Sequence, residues 1–194
     1  MAEKKAVCVF CGSSTGKRPE YAEAARRLGT AIARRGLELV YGAGHVGLMG
    51  VLADASLAAG GRVVGMIPRS LVDRELAHAG LTELLVVETM HERKALMAER
   101  SQAFLALPGG YGTLDELFEI LTWAQLGIHS HPVGLVNIAG YFDPLLAWID
   151  GAVEGGLLRE KHRAMLLVGD DPEELLERVL ARGDGNAGSK WLWA

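Results

Sequence analysis

The sequence predicts an α/β fold, a Rossmann-like open parallel sheet of about seven strands with helices on both faces. Short β-branched runs alternate regularly with helical stretches along the chain. Strict alternation of this kind requires right-handed crossovers and a parallel sheet. The strand candidates are almost continuously apolar, which is typical of strands buried on both faces. Glycines follow several helical stretches, where left-handed C-caps favour them.

The predicted elements follow one another in a regular order. Seven short apolar runs are predicted to be strands: Ala6–Phe10, Leu37–Tyr41, Arg62–Ile67, Leu84–Val87, Ala103–Leu107, Val133–Val136 and Met165–Val168. Six stretches between and after them are predicted to be helices: Glu20–Arg35, Leu48–Ala59, Met90–Arg100, Thr113–Leu126, Tyr141–Glu154 and Pro172–Ala181. Residues 1–182 are therefore expected to form a single domain. The glycine-rich tail 183–194, which contains Trp191 and Trp193, is either disordered or docked on the domain or a partner.

The composition is that of an ordinary globular domain. Hydrophobic residues make up 49% and charged residues 23% of the 194 residues, with a formal net charge of −4. This charge argues against nucleic acid as the main partner, and an anionic ligand would need local positive charge. No uninterrupted apolar run reaches the ~18 residues that span a bilayer, so no membrane contact is expected. The charged start of the chain leads straight into a strand, which predicts a cytoplasmic protein without a signal peptide.

Cys8 and Cys11 form a C-x-x-C motif, which in redox proteins lies at a helix N-terminus where thiolates are stabilised. Here the motif falls in a predicted buried strand, and residues three apart on a strand point to opposite faces. The two cysteines are therefore expected to be separate core residues, as suits a reducing cytosol.

Ligands of open parallel sheets bind beyond the carboxyl ends of the strands. Five predicted loops lie at that edge, and they hold the clustered glycines and the hydroxyls of Ser13 and Ser14: 12–18, 42–50, 68–80, 88–91 and 108–112. The functional site is expected among these loops.

The segment Gly42–Gly47 matches G-x-G-x-x-G between a strand and a helix. A dinucleotide fingerprint belongs after the first strand and needs an acidic residue about 20 residues further on. This segment follows the second strand, and the next strand runs into Pro68 and Arg69 without an acid, so NAD is rejected as a cofactor. Two interpretations remain: a loop around Gly42 and Gly44 whose amides approach a phosphate at a helix N-terminus, or a tight turn alone.

The segment Pro108–Glu116, with the sequence PGGYGTLDE, is the most informative part of the chain. It leaves a predicted strand and opens a predicted helix, and three glycines in four positions free the backbone for close ligand approach. The structural alternative is a capping box formed by Thr113 and Glu116. Because capping does not explain the glycines, the segment is predicted to bind a phosphorylated nucleotide.

The segment Thr89–Lys94 opens another predicted helix and again has a Thr-x-x-Glu capping pattern. His91, Arg93 and Lys94 crowd its first turn, where a cation costs about 0.3–1 kcal/mol. A bound anion would turn this penalty into a gain. The alternative is a solvated charged face.

Three segments together resemble the LONELY GUY family of cytokinin riboside 5′-monophosphate phosphoribohydrolases, which is related to a group often labelled lysine decarboxylase: 41–50, 90–94 and 108–116. The resemblance runs from about Lys5 to Ala181, and its P-G-G-x-G-T-x-x-E motif is specific. In the first segment Ala43 replaces the middle of three glycines usual in the family, and His45 lies close by.

The resemblance implies the residues of the site, with Arg93 and Glu116 matching the family's catalytic pair. Taken with the two serines and the glycine loop, the predicted substrate-binding residues are Ser13, Ser14, Gly42, Gly44, Glu75, Arg93, Lys94, Gly109, Gly110, Tyr111, Gly112, Thr113, Glu116 and Thr122. The family also suggests a homodimer, to which the apolar helix 113–126 with Trp123 could contribute.

The implied reaction is hydrolysis of the N-glycosidic bond of a cytokinin riboside 5′-monophosphate, an N6-substituted AMP, to free base and ribose 5-phosphate. No cofactor and no metal are expected. Such cleavage passes through an oxocarbenium-like state, which Glu116 would stabilise while activating water. Near a positive helix end Glu116 is expected to stay ionised. Arg93 cannot give up its proton and is expected to hold phosphate or to stabilise the departing purine.

Other chemistries have less support in the sequence. Pyridoxal decarboxylation needs a Schiff-base lysine, and Lys94 is the one well-placed candidate, without a cofactor-phosphate pattern around it. His129 and His131 could suggest a metal but are expected to face solvent. The remaining alternatives are a general AMP nucleosidase and a non-catalytic nucleotide carrier resembling molybdenum-cofactor carrier proteins. A carrier would need the glycine loops but not Arg93 with Glu116.

Overall fold

The computed structural model describes residues 5–72 and 77–184 of the chain. Within these ranges seven strands form one parallel sheet in the order β4-β3-β2-β1-β5-β6-β7, which confirms the predicted fold class. The strands are β1 (Ala6–Phe10), β2 (Glu38–Tyr41), β3 (Arg62–Pro68), β4 (Glu83–Val87), β5 (Ala103–Ala106), β6 (Val133–Val136) and β7 (Leu166–Gly169). Every predicted strand is confirmed to within one residue at each end.

The helices cover both faces of the sheet. They are α1 (Pro19–Arg34), α2 (Gly47–Ala58), α3 (Arg69–Val72), α4 (Met90–Glu99), α5 (Tyr111–Gln125), α6 (Asp143–Glu154), α7 (Glu160–Arg163) and α8 (Pro172–Asp184), with a 3-10 turn at Ile138–Gly140. The six predicted helices are confirmed, with ends shifted by up to three residues. The sequence did not predict α3 and α7, because a single turn carries no helical periodicity. The predicted tail beyond residue 184, with its tryptophans, lies outside the described residues.

The sheet is built outward from β1 in two directions. The chain runs from β1 through β2 and β3 to β4 at one edge, then returns to pair β5 with β1 before adding β6 and β7. The loops after β1 and β5 therefore leave toward opposite faces and open a crevice between them, the usual ligand site of such sheets.

Two apolar cores lie on the two faces of the sheet. One packs Val7, Val9 and Cys11 against α1, α2 and α8, and the other packs Cys8 and Phe10 against α4, α5 and α6. The cysteines are thus buried, unbridged and on opposite faces, as predicted. Burial raises the pKa of both thiols, which is the reverse of what redox chemistry needs.

A four-residue ion cluster closes the end of the sheet opposite the crevice. The buried carboxylate of Glu38 accepts hydrogen bonds from Nε of Arg62 at 2.6 Å and from Nε of Arg100 at 2.8 Å. Glu83 accepts from the same two arginines, at 2.5 and 2.9 Å. Hydrogen bonding from Arg100 is the main cause of the lowered pKa of Glu83. Since Arg100 caps the C-terminus of α4, the cluster fixes that helix to β2, β3 and β4.

No helix within the described ranges combines the length and the apolar character that crossing a bilayer requires.

The packing of α1 on α2 predicts opposite effects for one substitution at two helical glycines. Gly29 is buried in α1, and a Cβ built there would lie 2.3 Å from the carbonyl oxygen of Leu52 in α2. Gly151 is exposed in α6, where a Cβ meets nothing within 4 Å. Gly29→Ala should therefore lower the free energy of unfolding by about 1–3 kcal/mol. Gly151→Ala should raise it by about 0.5–1 kcal/mol through helix propensity.

Urea unfolding of both variants beside the unsubstituted protein measures this difference. A Gly29→Ala protein as stable as Gly151→Ala would mean that the α1–α2 contact is looser than the structure has it.

Candidate active site

Backbone hydrogen bonds bring three strand-end loops together at the crevice. The amide of Gly12 donates to the carbonyl of Pro108 at 3.0 Å, joining the loops after β1 and β5. The carbonyl of Gly12 accepts from the amides of Leu48 and Met49, at 3.0 and 3.3 Å, joining the loop after β1 to the start of α2. Amides at the start of α2 are therefore occupied by protein, and the predicted phosphate contact of the 42–50 loop stays a prediction.

The start of α5 is open in a way that the start of α2 is not. Helix α5 begins at Tyr111, after Gly110, and no side chain caps it. A Cβ built on Gly110 or on Gly112 would meet nothing within 4 Å, so both face open space. The first amides of a helix have no intrahelical acceptor, and the helix dipole favours an anion there. This helix end can bind an anion such as a phosphate.

The capping alternative for Pro108–Glu116 is wrong. Because α5 starts two residues earlier than predicted, Thr113 lies inside its first turn and is buried rather than at the N-cap. Its Oγ1 fills the space beside Gly109, where a Cβ would lie 2.0 Å away. Glu116 does not fold back to this position and instead meets α4.

Arg93 of α4 and Glu116 of α5 form a buried ion pair. Their Nη1 and Oε1 atoms are 3.1 Å apart, and each residue is less than a tenth exposed. Nε of Arg93 also donates to the carbonyl of Met66 at the end of β3, at 3.0 Å. The predicted capping of α4 is confirmed, since Thr89 Oγ1 accepts from the amide of Glu92 at 3.1 Å. This cap fixes the first turn of α4, from which Arg93 projects.

Burial raises the pKa of Glu116, and the adjacent Arg93 opposes that shift. The prediction from sequence rested only on the positive helix end, which favours the ionised form of Glu116. The structure differs because the side chain leaves solvent for the protein interior, where desolvation disfavours a charge. The ion pair still favours the carboxylate. A desolvated carboxylate with a raised pKa is a stronger base than an exposed one, which suits activation of a water molecule.

Lys94 links α4 to α5 beside this pair. Its Nζ lies 3.1 Å from a carboxylate oxygen of Asp115 and 3.1 Å from one of Glu119. Desolvation lowers the pKa of Lys94, but the hydrogen bonds that its ammonium donates to the two carboxylates outweigh this effect, and the pKa is raised overall. A Schiff-base lysine needs the opposite shift, so these contacts argue against pyridoxal chemistry here.

The two histidines do not behave as predicted. His129 is buried, not solvent-facing, with its Nε2 2.9 Å from the carbonyl oxygen of Ile120, and its ring stacks on the half-buried His131. Desolvation lowers the pKa of His129 to about 4. The sequence could not show that this loop folds back onto β5 and α5. Among the described residues no group of three or more His, Cys, Asp or Glu is arranged to hold a metal ion.

Comparison with known proteins identifies the family. A family model described as "Possible lysine decarboxylase" matches residues 49–179. A probable cytokinin riboside 5′-monophosphate phosphoribohydrolase of Oryza sativa subsp. japonica is 51% identical, over 89% of this chain and 71% of its own. A cytokinin riboside 5′-monophosphate phosphoribohydrolase of Arabidopsis thaliana is 48% identical, over 96% of this chain and 84% of its own. The chain belongs to this phosphoribohydrolase family. The LONELY GUY resemblance is thereby confirmed.

Solved structures share the fold at lower identity. A molybdenum cofactor binding protein of Rippkaea orientalis matches with a TM-score of 0.70 and 20% identity, over 93% of this chain and 98% of its own. The molybdenum cofactor carrier protein of Chlamydomonas reinhardtii matches with a TM-score of 0.70 and 20% identity, over 92% of this chain and 99% of its own. At such identity the likeness shows the fold alone.

The other predicted site residues of this family member differ in their surroundings. Ser13 and Ser14 are exposed beside the start of α2, where Gly47 presses on their backbone. Gly42 lies against Arg93, and Gly44 against Met49. Tyr111 is 95% exposed at the open end of α5.

One predicted residue, Thr122, is not brought to the pair. Thr122 is exposed further along α5, where its hydroxyl donates to the carbonyl of Phe118 at 2.7 Å. Six residues of helix separate it from Glu116, about 9 Å along the axis. Glu75 lies outside the described residues.

Tyr141 is a site residue that the sequence did not reveal. Its hydroxyl donates to the carbonyl of Gly109 at 2.6 Å, and its ring packs edge-on against Tyr21. The sequence predicted that a helix begins at Tyr141. In the structure Tyr141 instead follows a turn in which Ala139 has a φ of +54°, and α6 begins at Asp143. Tyr141 thus holds the glycine-rich loop from the β6 side.

Removal of this hydroxyl should loosen the loop without unfolding the protein. Tyr141→Phe keeps the ring contacts and deletes one hydrogen bond, worth about 0.5–1.5 kcal/mol. We expect nucleotide affinity to fall about 3- to 10-fold while the melting temperature changes little. Isothermal titration with AMP measures the first quantity. Tyr21→Phe, which retains the Gly109 contact, is the matched control and should bind as before. Equal affinity in all three proteins would show that Tyr141 does not hold the loop for binding.

Proposed function

We propose that this protein hydrolyses the N-glycosidic bond of cytokinin riboside 5′-monophosphates, releasing the free base and ribose 5-phosphate. The observation that carries the proposal is the buried Arg93–Glu116 pair beside the open start of α5. Relatives 48% and 51% identical over most of the chain are named for this activity.

The phosphate is proposed to bind at the start of α5. Free first-turn amides and the helix dipole favour an anion there, and the open surfaces of Gly110 and Gly112 admit it closely. Glu116 follows Tyr111 by five residues, about 7.5 Å along the helix axis. That distance is on the scale of a ribose 5-phosphate, so an anchored phosphate brings the anomeric carbon toward the pair.

Glu116 is proposed to act at the anomeric carbon. As the bond from C1′ to the purine nitrogen breaks, the base leaves with the electron pair and the sugar acquires oxocarbenium character. The Glu116 carboxylate stabilises that positive charge and takes a proton from the water whose oxygen bonds to C1′. The departing purine takes up a proton from solvent, to which Glu116 returns its own. Arg93 keeps its own proton and stabilises negative charge, either on the departing base or on the phosphate.

We further propose a cytoplasmic homodimer. Large apolar side chains are exposed at the C-cap of α5, on α6 and in the turn after α6: Leu126 at 65%, Trp148 at 65% and Leu157 at 90%. Apolar surface of this kind favours association with a second copy, which sedimentation equilibrium measures directly.

Neutralising Glu116 should separate catalysis from folding. Glu116→Gln keeps the side-chain volume and removes the negative charge, which is proposed to stabilise the transition state. We expect kcat to fall about 10²- to 10³-fold, with nucleotide affinity and fold retained and a lower melting temperature, because Arg93 loses its buried counter-charge. The measurement is release of base from isopentenyladenosine monophosphate, followed by chromatography. Glu119→Gln, the same change one turn further along α5, is the matched control and should retain most of the activity. A fully active Glu116→Gln enzyme would remove Glu116 from the chemistry.

The phosphate should contribute to turnover as well as to binding. If its binding energy positions the sugar, adenosine-type nucleosides should be cleaved at least ~100-fold less efficiently than their 5′-monophosphates, about 2.7 kcal/mol of transition-state stabilisation. Diphosphates and triphosphates should also be poor, because the start of α5 is proposed to hold a single phosphate.

The values of kcat/KM for adenosine, AMP, ADP and ATP, and for the N6-prenyl nucleoside and its monophosphate, test this. Equal values for nucleoside and monophosphate would contradict the phosphate anchor. Equal values for AMP and its prenyl derivative would indicate a general AMP nucleosidase. Binding of nucleotide without release of base from any substrate would indicate a carrier.

A further inference from the structure

Gly42, at the carboxyl end of β2, lies directly against the guanidinium of Arg93. A Cβ built on Gly42 would lie 1.9 Å from Nη2 and 3.2 Å from Cζ of Arg93, and 3.4 Å from Sδ of Met49. Real side chains essentially never approach so closely. The guanidinium therefore occupies the space that any other residue at position 42 would fill.

The backbone does not explain this glycine. Gly42 has no left-handed φ, so an alanine there would meet no dihedral strain. The next residue, Ala43, does have a left-handed φ of +62°, a conformation that favours glycine, yet it carries a methyl group. Gly42 therefore occupies a position that has no room for a side chain. The next position, whose φ favours glycine, is occupied by Ala43.

Three contacts fix the guanidinium in one orientation. Nε donates to the carbonyl of Met66, Nη1 pairs with Glu116, and Nη2 rests over Gly42. The first two contacts hold the edges of the planar group, and the third sets how deeply it enters the sheet end. A methyl group at position 42 would push Nη2 outward and separate Nη1 from the carboxylate.

We propose that Gly42 is a positioning residue for Arg93. Because Gly42 has no side chain, the guanidinium can lie against Glu116. The identity of Gly42 follows from the arginine and not from a phosphate held by the 42–50 loop. The kinetic part of the test rests on the proposed function, and the stability part does not.

A double-substitution cycle with Gly42→Ala and Arg93→Ala tests the proposal. Gly42→Ala alone should lower the melting temperature, because a buried guanidinium must move, and Arg93→Ala removes the group that moves. In the Arg93→Ala background Gly42→Ala should therefore have little further effect on the melting temperature. Gly44→Ala is the matched control, since its Cβ would approach the flexible end of Met49, at 2.7 Å, and not Arg93. Its effect should be the same in both backgrounds.

Kinetics of the same variants distinguish positioning from phosphate binding. Gly42→Ala should lower kcat about 10²-fold, as expected for a catalytic group displaced by about 1 Å, with a much smaller change in KM. It should cause no further loss of kcat in Arg93→Ala. A phosphate-binding glycine would instead raise KM and act independently of Arg93.

Equal losses of melting temperature from Gly42→Ala in both backgrounds would overturn the proposal, and so would failure of both the single and the double variant to fold. A single variant that unfolds while the double variant folds would support it. If the unsubstituted protein cleaves no nucleotide, the proposed function fails while the stability cycle still decides the role of Gly42.

Discussion

A buried ion pair is the constraint on which the rest of this structure depends. Removing each charge of the Arg93–Glu116 pair from water costs several kcal/mol, and mutual attraction offsets this only when the geometry is good. The contact between them is 3.1 Å, and the carbonyl of Met66 satisfies a further donor of the arginine. Well-packed apolar residues of similar volume often stabilise a fold as well as a buried ion pair does. Stability alone therefore does not account for the pair, and its geometry fits the catalytic role proposed for it.

The helix α4, which carries Arg93, is fixed at both ends of the sheet. At the crevice, Thr89 caps α4 and Lys94 binds two carboxylates of α5. At the opposite end, Arg100 closes α4 in the ion cluster with Glu38 and Glu83. A rigid placement matters because electrostatic stabilisation of a transition state depends on groups that need no reorganisation. The ion cluster and the contacts of Lys94 thus fix α4, and with it Arg93, relative to the sheet and to α5.

The sequence predicted what depends on periodicity, including the burial of the two cysteines, and could not predict contacts between residues distant in the chain. Alternating apolar runs were enough for seven strands and six helices, and the motif resemblance was enough to select Arg93 and Glu116. The role of Thr113 was harder to predict, because the Thr-x-x-Glu spacing is the same whether Thr113 caps the helix or lies inside its first turn. The burial of His129 and the contact of Tyr141 with Gly109 join residues distant in sequence. Those contacts exist only once the sheet order is set.

The glycines show why a motif alone does not give a mechanism. In sequence, Gly42–Gly50 and Pro108–Gly112 look like two equivalent phosphate loops. In the structure, Gly47 and Gly109 are packed against protein atoms, and the amides of Leu48 and Met49 are bound by the carbonyl of Gly12. Gly110 and Gly112 instead face open space at a helix start whose first amides lack intrahelical acceptors. The start of α2 is thus closed by protein atoms and the start of α5 is open, which is why the phosphate is proposed to bind at α5.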